Sequence, residues 1–475
     1  MLIAGENNRK AIVSHDGSYI TYGGIEDLSA IFAELKVRNS LVLVITDNSL
    51  SSVSSIASLI EMSAIPVLFN TKSEDKNLIE IVKTYNIPYI FGPIDRVQRL
   101  GFSNPVYTDE REYGLFAVEL TRDLVIPNSS LAILLTTSGS TGNPKLVRIS
   151  DANLIANADA IVDYLGLTES ERPFLHLPVS YTYGLSILTS HLRVGATVFC
   201  TDESIVSREF WNFLKESSCT SLPGVPFTYS MLKRLRFTQM DLPELRTLTQ
   251  AGGKLSQELQ KEFGEWASEN NRRFYVMYGQ TEATARMSYL PSSRVLEKIG
   301  SIGIPIPGGS FQIVDDEGEV VADAQTVGNL IYKGPNVALG YAMNDTDLAS
   351  SDVFKGRLAT GDLAYRDNED FFYLSGRKDR YIKMYGNRIN LDDIEKLVSD
   401  LKGQAACVGI EDLITIFLYG EHDLNETIIK QKLTKATNIN SKGFRVVVLD
   451  QVPLNMNEKI DYRKLAELAG YTSGL

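Results

Sequence analysis

The chain has 475 residues, of which 44% are hydrophobic and 22% charged, and its formal net charge is -12. That length predicts more than one domain, and the composition is ordinary for a globular protein. The acidic balance disfavours nucleic acid as a main partner, and no apolar run reaches the roughly 20 residues that cross a membrane.

Residues 1 to about 130 alternate between strand-like and helix-like segments. Apolar strands are predicted at 41–45 and 65–69, and helices at 25–35, 56–60 and 78–82. Strands that are apolar throughout and separated by helices are typical of a parallel sheet covered on both faces. The same alternation continues to about residue 290, so we expect mostly parallel sheets over this whole part.

The pattern changes near residue 300. Between 300 and 341 short alternating segments are separated by Pro and Gly, which predicts antiparallel strands. Further on, the predicted elements are strands at 407–410, 413–419 and 444–449 and helices at 391–398 and 427–435. The expected fold class is therefore α/β, with a large N-terminal domain that includes an antiparallel portion and a small α+β C-terminal domain.

A stretch rich in Ser, Thr and Gly, Thr136–Lys145, lies between an apolar, strand-like run and a helix predicted to begin at Asp151. Gly139 and Gly142 allow a tight turn that brings backbone N–H groups close to an anion, and Lys145 adds a positive charge. The spacing is not that of a Walker loop, because two residues separate the glycines. The stretch predicts a polyphosphate-binding loop; the alternative is a plain polar linker.

Three further segments carry more polar chemistry than a core requires. Tyr278–Glu282 follows a predicted strand, at the end where open α/β sheets bind ligands. Asp362, in a Thr-Gly-Asp sequence, offers an acceptor for ribose hydroxyls, and Lys459 lies in a polar loop before the last predicted helix. Taken singly, Glu282 could cap a helix, Asp362 could sit in a turn and Lys459 could face solvent.

Histidine and cysteine chemistry is disfavoured. Cys200, Cys219 and Cys407 have no paired or metal-ligand spacing and suit a reducing compartment. The four histidines do not cluster in sequence, which disfavours a histidine-bound metal and a Ser-His-Asp triad.

The N-terminus lacks the basic and apolar blocks of a signal peptide, and we therefore expect a cytoplasmic protein with no membrane partner.

Taken in order, these segments resemble the adenylate-forming superfamily. The shared features are the phosphate loop, Tyr-Gly-x-Thr-Glu, Thr-Gly-Asp, Gly-Arg-x-Asp and a near-terminal lysine, and they extend from about Ile20 to Leu465. That superfamily includes acyl-CoA synthetases, nonribosomal peptide synthetase adenylation domains, D-alanyl carrier protein ligases and luciferases. The resemblance implies an AMP-forming acid:thiol ligase that uses ATP and Mg²⁺, makes an acyl-adenylate and passes it to CoA or to a separate holo carrier protein. An amine acceptor and an ATP-binding protein that has lost catalysis are the alternatives.

The resemblance also implies roles for single residues in nucleotide binding. Tyr278 would stack on adenine beside Gly279, Thr281 would contact the α-phosphate, and Glu282 would hold Mg²⁺. Lys459 would bridge the substrate carboxylate and the α-phosphate, so Thr281, Glu282 and Lys459 are the expected catalytic residues. The other expected ATP-binding residues are Thr137, Ser138, Gly139, Ser140, Thr141, Gly142, Lys145, Gly253, Asp362 and Arg377.

A mobile small domain is a further implication of the resemblance. An N-terminal domain, 1–376, would bind ATP and the acid, and a C-terminal domain, 380–475, would carry the catalytic lysine. The hinge would be 377–379, with Asp379 as its pivot. Rotation about it would bring Gly386 and Arg388 to the thiol tunnel for the second half-reaction.

The expected acyl pocket departs from that of the amino-acid-activating relatives. Its residues would be Tyr181, Tyr183, Gly184, Val225, Ala251, Gly252 and Gly253. Thr182 stands where those relatives have an aspartate that pairs with the substrate ammonium, and a buried unpaired ammonium is costly. We therefore expect a small aryl or short-to-medium acyl acid. Glu458 replaces the glycine that commonly precedes the catalytic lysine.

Overall fold

The computed structural model describes residues 2–136, 145–385, 387–401, 403–420, 423–455 and 459–471. The strands in these ranges are β1 (Lys10–Ser14), β2 (Tyr19–Thr21), β3 (Leu41–Thr46), β4 (Ile65–Asn70), β5 (Tyr89–Pro93), β6 (Pro105–Thr108), β7 (Tyr113–Ala117), β8 (Leu131–Thr136), β9 (Leu146–Ser150), β10 (Phe174–Leu175), β11 (Val198–Cys200), β12 (Ser221–Gly224), β13 (Thr247–Gln250), β14 (Arg273–Tyr278), β15 (Ser288–Leu290), β16 (Ile304–Pro305), β17 (Ser310–Val314), β18 (Gly328–Lys333), β19 (Gly340–Ala342), β20 (Arg357–Arg366), β21 (Phe372–Arg377), β22 (Tyr381–Met384), β23 (Asn387–Asn390), β24 (Gln404–Ile410), β25 (Leu413–Tyr419) and β26 (Phe444–Val448). The α-helices are α1 (Tyr22–Glu34), α2 (Leu50–Glu61), α3 (Asp75–Thr84), α4 (Ile94–Arg99), α5 (Asp151–Leu165), α6 (Thr182–Leu192), α7 (Arg208–Glu216), α8 (Pro226–Arg234), α9 (Gln257–Glu269), α10 (Leu391–Ser399), α11 (Glu426–Thr437) and α12 (Tyr462–Leu468). Among these helices, none has the length and apolar character that a membrane span needs.

The described chain divides into two compact units. Unit 1 comprises Met1–Phe311 and Tyr332–Leu358, and unit 2 comprises Gln312–Ile331 and Ala359–Leu475. The predicted boundary at 377–379 concerns a pivot for motion and stays a prediction.

An eight-stranded sheet of unit 1 has the strand order β19-β9-β8-β4-β3-β5-β7-β6. Its centre is parallel, because β3 pairs in parallel with β4 and β5, and β4 with β8. Side chains of β3 alternate between two buried clusters: Val42 and Val44 pack with residues of α2, whereas Leu43 and Ile45 pack with residues of α3. The expected parallel sheet with helices on both faces is confirmed here.

The helix predicted to begin at Asp151 is confirmed, because α5 begins at that residue. No element was predicted between the phosphate loop and this helix, and there the structure has β9, which pairs antiparallel with β8. The sequence conceals this strand because Arg148, a charged residue, lies at its centre, although that side chain is fully buried. The loop residues Thr137, Ser138, Gly139, Ser140, Thr141 and Gly142 lie outside the described residues.

Unit 1 contains two smaller sheets. One has the order β12-β13-β14-β15-β16, in which β12, β13 and β14 are parallel and β15 turns back antiparallel beside β14. The other has the order β10-β11-β1-β2. The polar segment after β14 therefore lies at the carboxyl edge of the parallel strands, and its side chains at 278 and 280–282 are half-buried.

Unit 2 contains the three-stranded sheet β24-β25-β26, the hairpin β22-β23 and most of the four-stranded sheet β17-β18-β20-β21. Ile416 on β25 packs in the cluster that includes Ile394 of α10 and Leu433 of α11. Phe417, on the opposite face, packs against Leu465 of α12. Helices therefore cover both faces of this small sheet, and the predicted α+β C-terminal portion is confirmed.

Candidate nucleotide and acid site

The predicted site residues fall in both units, and each set is described within its own unit. In unit 1 the central feature is the sharp turn that follows β14. A Cβ placed on Gly279 would lie 1.7 Å from the carbonyl oxygen of Ala285, so only glycine allows this close return of the chain. Asn336 braces the turn by donating to the carbonyl oxygens of Ala283 and Arg286, at 2.9 and 3.0 Å. The turn places Thr281 and Glu282 just beyond the end of the strand.

Glu282 lies in a contact chain that sequence reasoning did not foresee. The hydroxyl of Tyr341 donates to Oε1 of Glu282 at 2.8 Å, and Nζ of Lys145 lies 4.0 Å from the centroid of the Tyr341 ring. Burial, with the negative charge of Glu282 as a second cause, raises the pKa of Tyr341, so its hydroxyl remains a donor. We call Lys145, Glu282 and Tyr341 the Glu282 cluster.

The Glu282 cluster fits a magnesium ion that arrives with a nucleotide. Mg²⁺ in phosphate-transfer sites is usually held by one or two carboxylates together with substrate phosphates and waters. Glu282 provides one half-buried carboxylate, and no group of three or more His, Cys, Asp or Glu side chains that could hold a metal occurs among the described residues. A dedicated all-protein metal cage is therefore not present in the described part of the chain.

Tyr278 is the last residue of β14 and begins the same turn. Its ring is half-buried and packs against Phe311, with the ring centroids 6.3 Å apart.

Gly253 lies on a loop that Gln250 holds in place, since Nε2 of Gln250 donates to the carbonyl oxygens of Ala251 and Gly253, at 3.1 and 2.9 Å.

Several predicted acyl-pocket residues meet in unit 1. A Cβ on Gly252, whose φ is +85°, would lie 2.7 Å from the hydroxyl oxygen of Tyr181 and 3.0 Å from a methyl group of Val225. Glycine at this position therefore keeps the space between the two side chains open. Burial raises the pKa of Tyr181, so its hydroxyl stays neutral.

Tyr183 and Gly184 are held more tightly by the protein itself. The hydroxyl of Tyr183 donates to Thr249, whose carbonyl oxygen lies at 2.9 Å and Oγ1 at 2.8 Å. Gly184 lets α6 approach the preceding loop, because its Cβ would lie 2.3 Å from the carbonyl oxygen of Pro178. These contacts hold the first turn of α6, which follows Tyr181, in place.

In unit 2, Asp362 and Arg377 are brought together by strand pairing. They are direct partners across the antiparallel pair β20–β21, and Nε of Arg377 lies 3.0 Å from Oδ1 of Asp362. Asp362 is 6% exposed, and its backbone N–H donates to Oγ1 of Thr360 at 3.1 Å. The pair presents a fixed carboxylate beside a cation, which is the arrangement expected for a ribose clamp.

Lys459 lies in a short turn whose ends are tied together. Its N–H donates to Oδ1 of Asn455 at 3.1 Å, and its carbonyl oxygen accepts from the N–H of Asn455 at 2.7 Å. Leu454 and Ile460 form a bridge just outside these residues. Glu458 and Gly386 lie outside the described residues, and only the backbone of Asp379 and Arg388 is described.

Next to the predicted hinge, Arg380 is fixed inside unit 2. Its guanidinium pairs with Asp392 and Glu395 at 2.6 and 2.5 Å and lies 4.1 Å from the centroid of the Tyr462 ring. The Tyr462 hydroxyl also donates to Glu395. Sequence reasoning missed this network, because its members lie on three separate segments: Arg380 just before β22, Asp392 and Glu395 on α10, and Tyr462 on α12.

Comparison with known proteins identifies related sequences. The model of the AMP-binding enzyme family matches residues 3–342. A D-alanine–D-alanyl carrier protein ligase of Bacillus licheniformis is 29% identical over 358 residues, which cover 70% of both chains. A 2-succinylbenzoate–CoA ligase of Bacillus cytotoxicus is 28% identical over 455 residues, which cover 91% of this chain and 89% of that protein.

Solved structures share the fold. O-succinylbenzoate coenzyme A synthetase (MenE) from Bacillus subtilis, in complex with AMP, has a TM-score of 0.75 at 22% identity and covers 95% of this chain and 94% of its own. The amide bond synthetase McbA from Marinactinospora thermotolerans has a TM-score of 0.80 at 18% identity, covering 97% and 96%. These likenesses confirm the predicted fold class.

Proposed function

This chain is a member of the AMP-binding enzyme family, and on that premise we propose that it activates a carboxylic acid with ATP. The products of the first step are an acyl-adenylate and pyrophosphate, and the acyl group then passes to a thiol to give a thioester. The observation that carries the proposal is the Glu282 cluster, in which a carboxylate, its tyrosine donor and a lysine lie at the carboxyl end of β14.

The first step needs charge compensation more than it needs a protein nucleophile. The substrate carboxylate attacks the α-phosphate of ATP, and negative charge accumulates on that phosphate and on the departing pyrophosphate. Glu282 would hold Mg²⁺, which neutralises phosphate charge when bound. Tyr341 keeps the Glu282 carboxylate oriented, and Lys145 adds a cation next to the predicted phosphate loop.

Unit 2 would supply the remaining groups. Asp362 accepts hydrogen bonds from the ribose hydroxyls, with Arg377 holding its carboxylate in position. Lys459 offsets the repulsion between the attacking carboxylate and the α-phosphate. The same lysine would obstruct an incoming thiol, which gives the predicted hinge at 377–379 its purpose: the domain that carries Lys459 rotates away before the second step.

The acid we favour lacks an α-amino group. Thr182 is buried and offers no negative charge to an ammonium at the position where amino-acid-activating relatives have aspartate. The relative that is 29% identical is named for D-alanine and a carrier protein, and the relative that is 28% identical is named for 2-succinylbenzoate and CoA. They therefore do not select an acid or an acceptor for this chain. We propose CoA or a separate holo carrier protein as the partner, in the cytoplasm.

Product mass tests the proposal. Three parallel reactions contain the enzyme, ATP, Mg²⁺ and a free acid that the enzyme adenylates. They differ in the acceptor, which is CoA, a holo carrier protein or a simple amine. We expect a thioester with one of the two thiols. Hydroxylamine trapping in a separate reaction shows whether the adenylate forms at all. An amide as the sole product would assign the second step to amine acylation. Formation of the hydroxamate without consumption of ATP would contradict adenylation.

A further inference from the structure

Arg286 is a buried cation for which the described residues provide no carboxylate. It is 3% exposed and follows the turn that carries Glu282. Its Nη1 donates to the hydroxyl of Tyr164 at 2.8 Å and lies 3.3 Å from Sδ of Met277, while Nε has no hydrogen-bond partner. None of the ion pairs in the described part of unit 1 includes this side chain. The charge of Arg286 is therefore compensated only by neutral groups.

Another buried arginine of unit 1 shows what a structural arginine looks like in this chain. Arg148 is 0% exposed and also lacks a carboxylate partner, but its guanidinium donates to four backbone carbonyl oxygens. The acceptors, at 2.6 to 3.2 Å, belong to Leu339, Tyr341, Ser350 and Ser351. Arg148 thus has its hydrogen-bonding capacity met by the fold, whereas Arg286 does not. A buried guanidinium with an unpaired N–H is costly unless an anion reaches it.

The place of Arg286 in the fold says which anion can reach it. The guanidinium carbon lies 5.2 Å from the centroid of the Tyr183 ring, which belongs to the predicted acyl-pocket wall. Met277, its other neighbour, precedes Tyr278 at the end of β14. The guanidinium therefore lies against a residue of the predicted acyl-pocket wall, so the anion best placed to reach it is a group carried by the acid.

His191 supplies a second buried polar atom without a partner in the same region. Its Nδ1 lies 2.8 Å from the carbonyl oxygen of Ile187, and its Nε2 has no hydrogen-bond partner. Burial, together with the positive charge of Arg286, lowers the pKa of His191 to about 4. The imidazole is therefore neutral at pH 7, and Arg286 is the positive charge that an anion would meet.

We propose that Arg286 binds a second anionic group of the acid substrate, so that the preferred acids carry two carboxylates. The inference rests on the proposed function and adds the substrate class to it. One carboxylate reacts with ATP, and the other pairs with the guanidinium through its unpaired Nε edge. Charge-assisted hydrogen bonds of this kind are the strong ones in proteins, and a guanidinium matches a carboxylate in geometry.

The test compares acids that differ only in the second charge. Succinate is paired with butyrate, adipate with hexanoate, and phthalate with benzoate. Binding is measured by calorimetry without ATP, and turnover is measured as pyrophosphate release. The variants are Arg286→Gln, which removes the charge, Arg286→Lys, which keeps it, and Arg273→Gln as a matched control. Arg273 begins β14, and its Nη1 donates to the carbonyl oxygen of Leu165 at 2.8 Å, so this guanidinium is bonded to the fold itself.

We expect wild-type protein and Arg273→Gln to prefer one of the diacids over its monoacid by at least about 10²-fold in kcat/KM, because a monoacid leaves the guanidinium unpaired. Arg286→Gln brings that ratio close to one and Arg286→Lys retains part of it. An unchanged ratio in Arg286→Gln, or wild-type protein that binds no diacid of the panel better than its partner, overturns the inference. Diacid binding that depends on Arg286 without pyrophosphate release contradicts the proposed function instead.

Thermal unfolding of the same variants without ligand provides a readout that does not depend on turnover. If the partner of Arg286 is the substrate, Arg286→Gln removes an uncompensated buried charge, and we expect an unchanged or higher Tm. Arg148→Gln, which breaks four bonds to carbonyl oxygens, should lower the Tm. A fall in the Tm of Arg286→Gln as large as that of Arg148→Gln, or a failure to fold, would show that Arg286 is structural and would overturn the inference.

Discussion

Tyr341 donates a 2.8 Å hydrogen bond to the carboxylate of Glu282, which lies 59 positions earlier in the chain. The bond joins β19, on the edge of the eight-stranded sheet, to the turn after β14 in a different sheet. It fixes one oxygen of Glu282 and leaves the other side of the carboxylate to a ligand. The orientation of the predicted magnesium-binding group thus depends on how two sheets of unit 1 pack.

Replacing Tyr341 with phenylalanine should weaken the use of Mg-ATP. The ring remains for Lys145 and Phe354 to pack against, but the donor to Glu282 is lost. A hydrogen bond to a charged group contributes about 1.5 kcal/mol or more, so we expect kcat/KM for Mg-ATP to fall about tenfold. Pyrophosphate release across a Mg²⁺ titration measures this effect. Tyr22→Phe, which removes a buried hydroxyl bonded to the carbonyl oxygen of Ala196, is the control and should show a smaller change.

Lys459→Ala should abolish most adenylation. Loss of one preorganised cation in phosphoryl transfer costs on the order of 10²-fold or more in rate. Single-turnover formation of acyl-adenylate isolates this step from thiol transfer. Lys464→Ala removes an exposed lysine of α12 and should leave the rate unchanged. A Lys459→Ala enzyme with a wild-type single-turnover rate would remove Lys459 from the first step.

Asp362→Asn should reduce the discrimination between ATP and its deoxyribose analogues. The carboxylate is buried and held by Arg377, so a ribose hydroxyl that bonds to it gains a charged acceptor. We expect KM for ATP to rise about tenfold and KM for 2′-deoxy- and 3′-deoxy-ATP to change less. Arg377→Ala should act through the same carboxylate, so the effects in the double variant should not add. Equal losses for ATP and both analogues would contradict a ribose role.

The stability of unit 1 should fall on mild acidification. Burial lowers the pKa of both His176 and His191 from 6.5 to about 4. Between pH 4 and pH 6.5 these two histidines bind protons in the unfolded chain but not in the folded chain. The free energy of unfolding is therefore highest above pH 6.5 and decreases towards pH 4, by up to about 3 kcal/mol for each histidine.

Thermal unfolding as a function of pH checks this sign. His176→Gln and His191→Gln should each reduce the loss of Tm between pH 6.5 and pH 4, whereas His15→Gln, which changes an exposed residue, should not. A Tm that rises on acidification in this range, or parallel curves for all four proteins, would contradict the assignment of the acid sensitivity to the two buried histidines.

Local sequence predicted most elements but not the contacts between them. β3 and β25 were predicted because apolar residues fill them from end to end, and helices such as α10 were predicted from the spacing of their buried residues. β9 was missed because Arg148 interrupts the apolar pattern, and only the tertiary structure shows that four carbonyl oxygens satisfy it.

In the candidate site, too, the sequence predicted local motifs but not the contacts between them. The residue types of Glu282, Asp362 and Lys459 were recognisable from their motifs, because each motif is contiguous in the chain. The Tyr341–Glu282 bond depends on packing between distant segments, for which the sequence carries no local signal. For Arg286 the only local signal is an arginine just after the Tyr-Gly-x-Thr-Glu motif, and its unpaired Nε is visible only in the structure. The roles of the loop residues 137–142 stay predictions.

The most direct test of the account is acid-dependent release of pyrophosphate from ATP and Mg²⁺. A panel of aryl, short-chain, medium-chain and amino acids, with mono- and dicarboxylic members, is run with wild-type protein and with Lys459→Ala. The account predicts release that requires the acid, is confined to one chemical class and is lost in the variant. Folded wild-type protein that binds ATP but releases no pyrophosphate with any acid of the panel would contradict it.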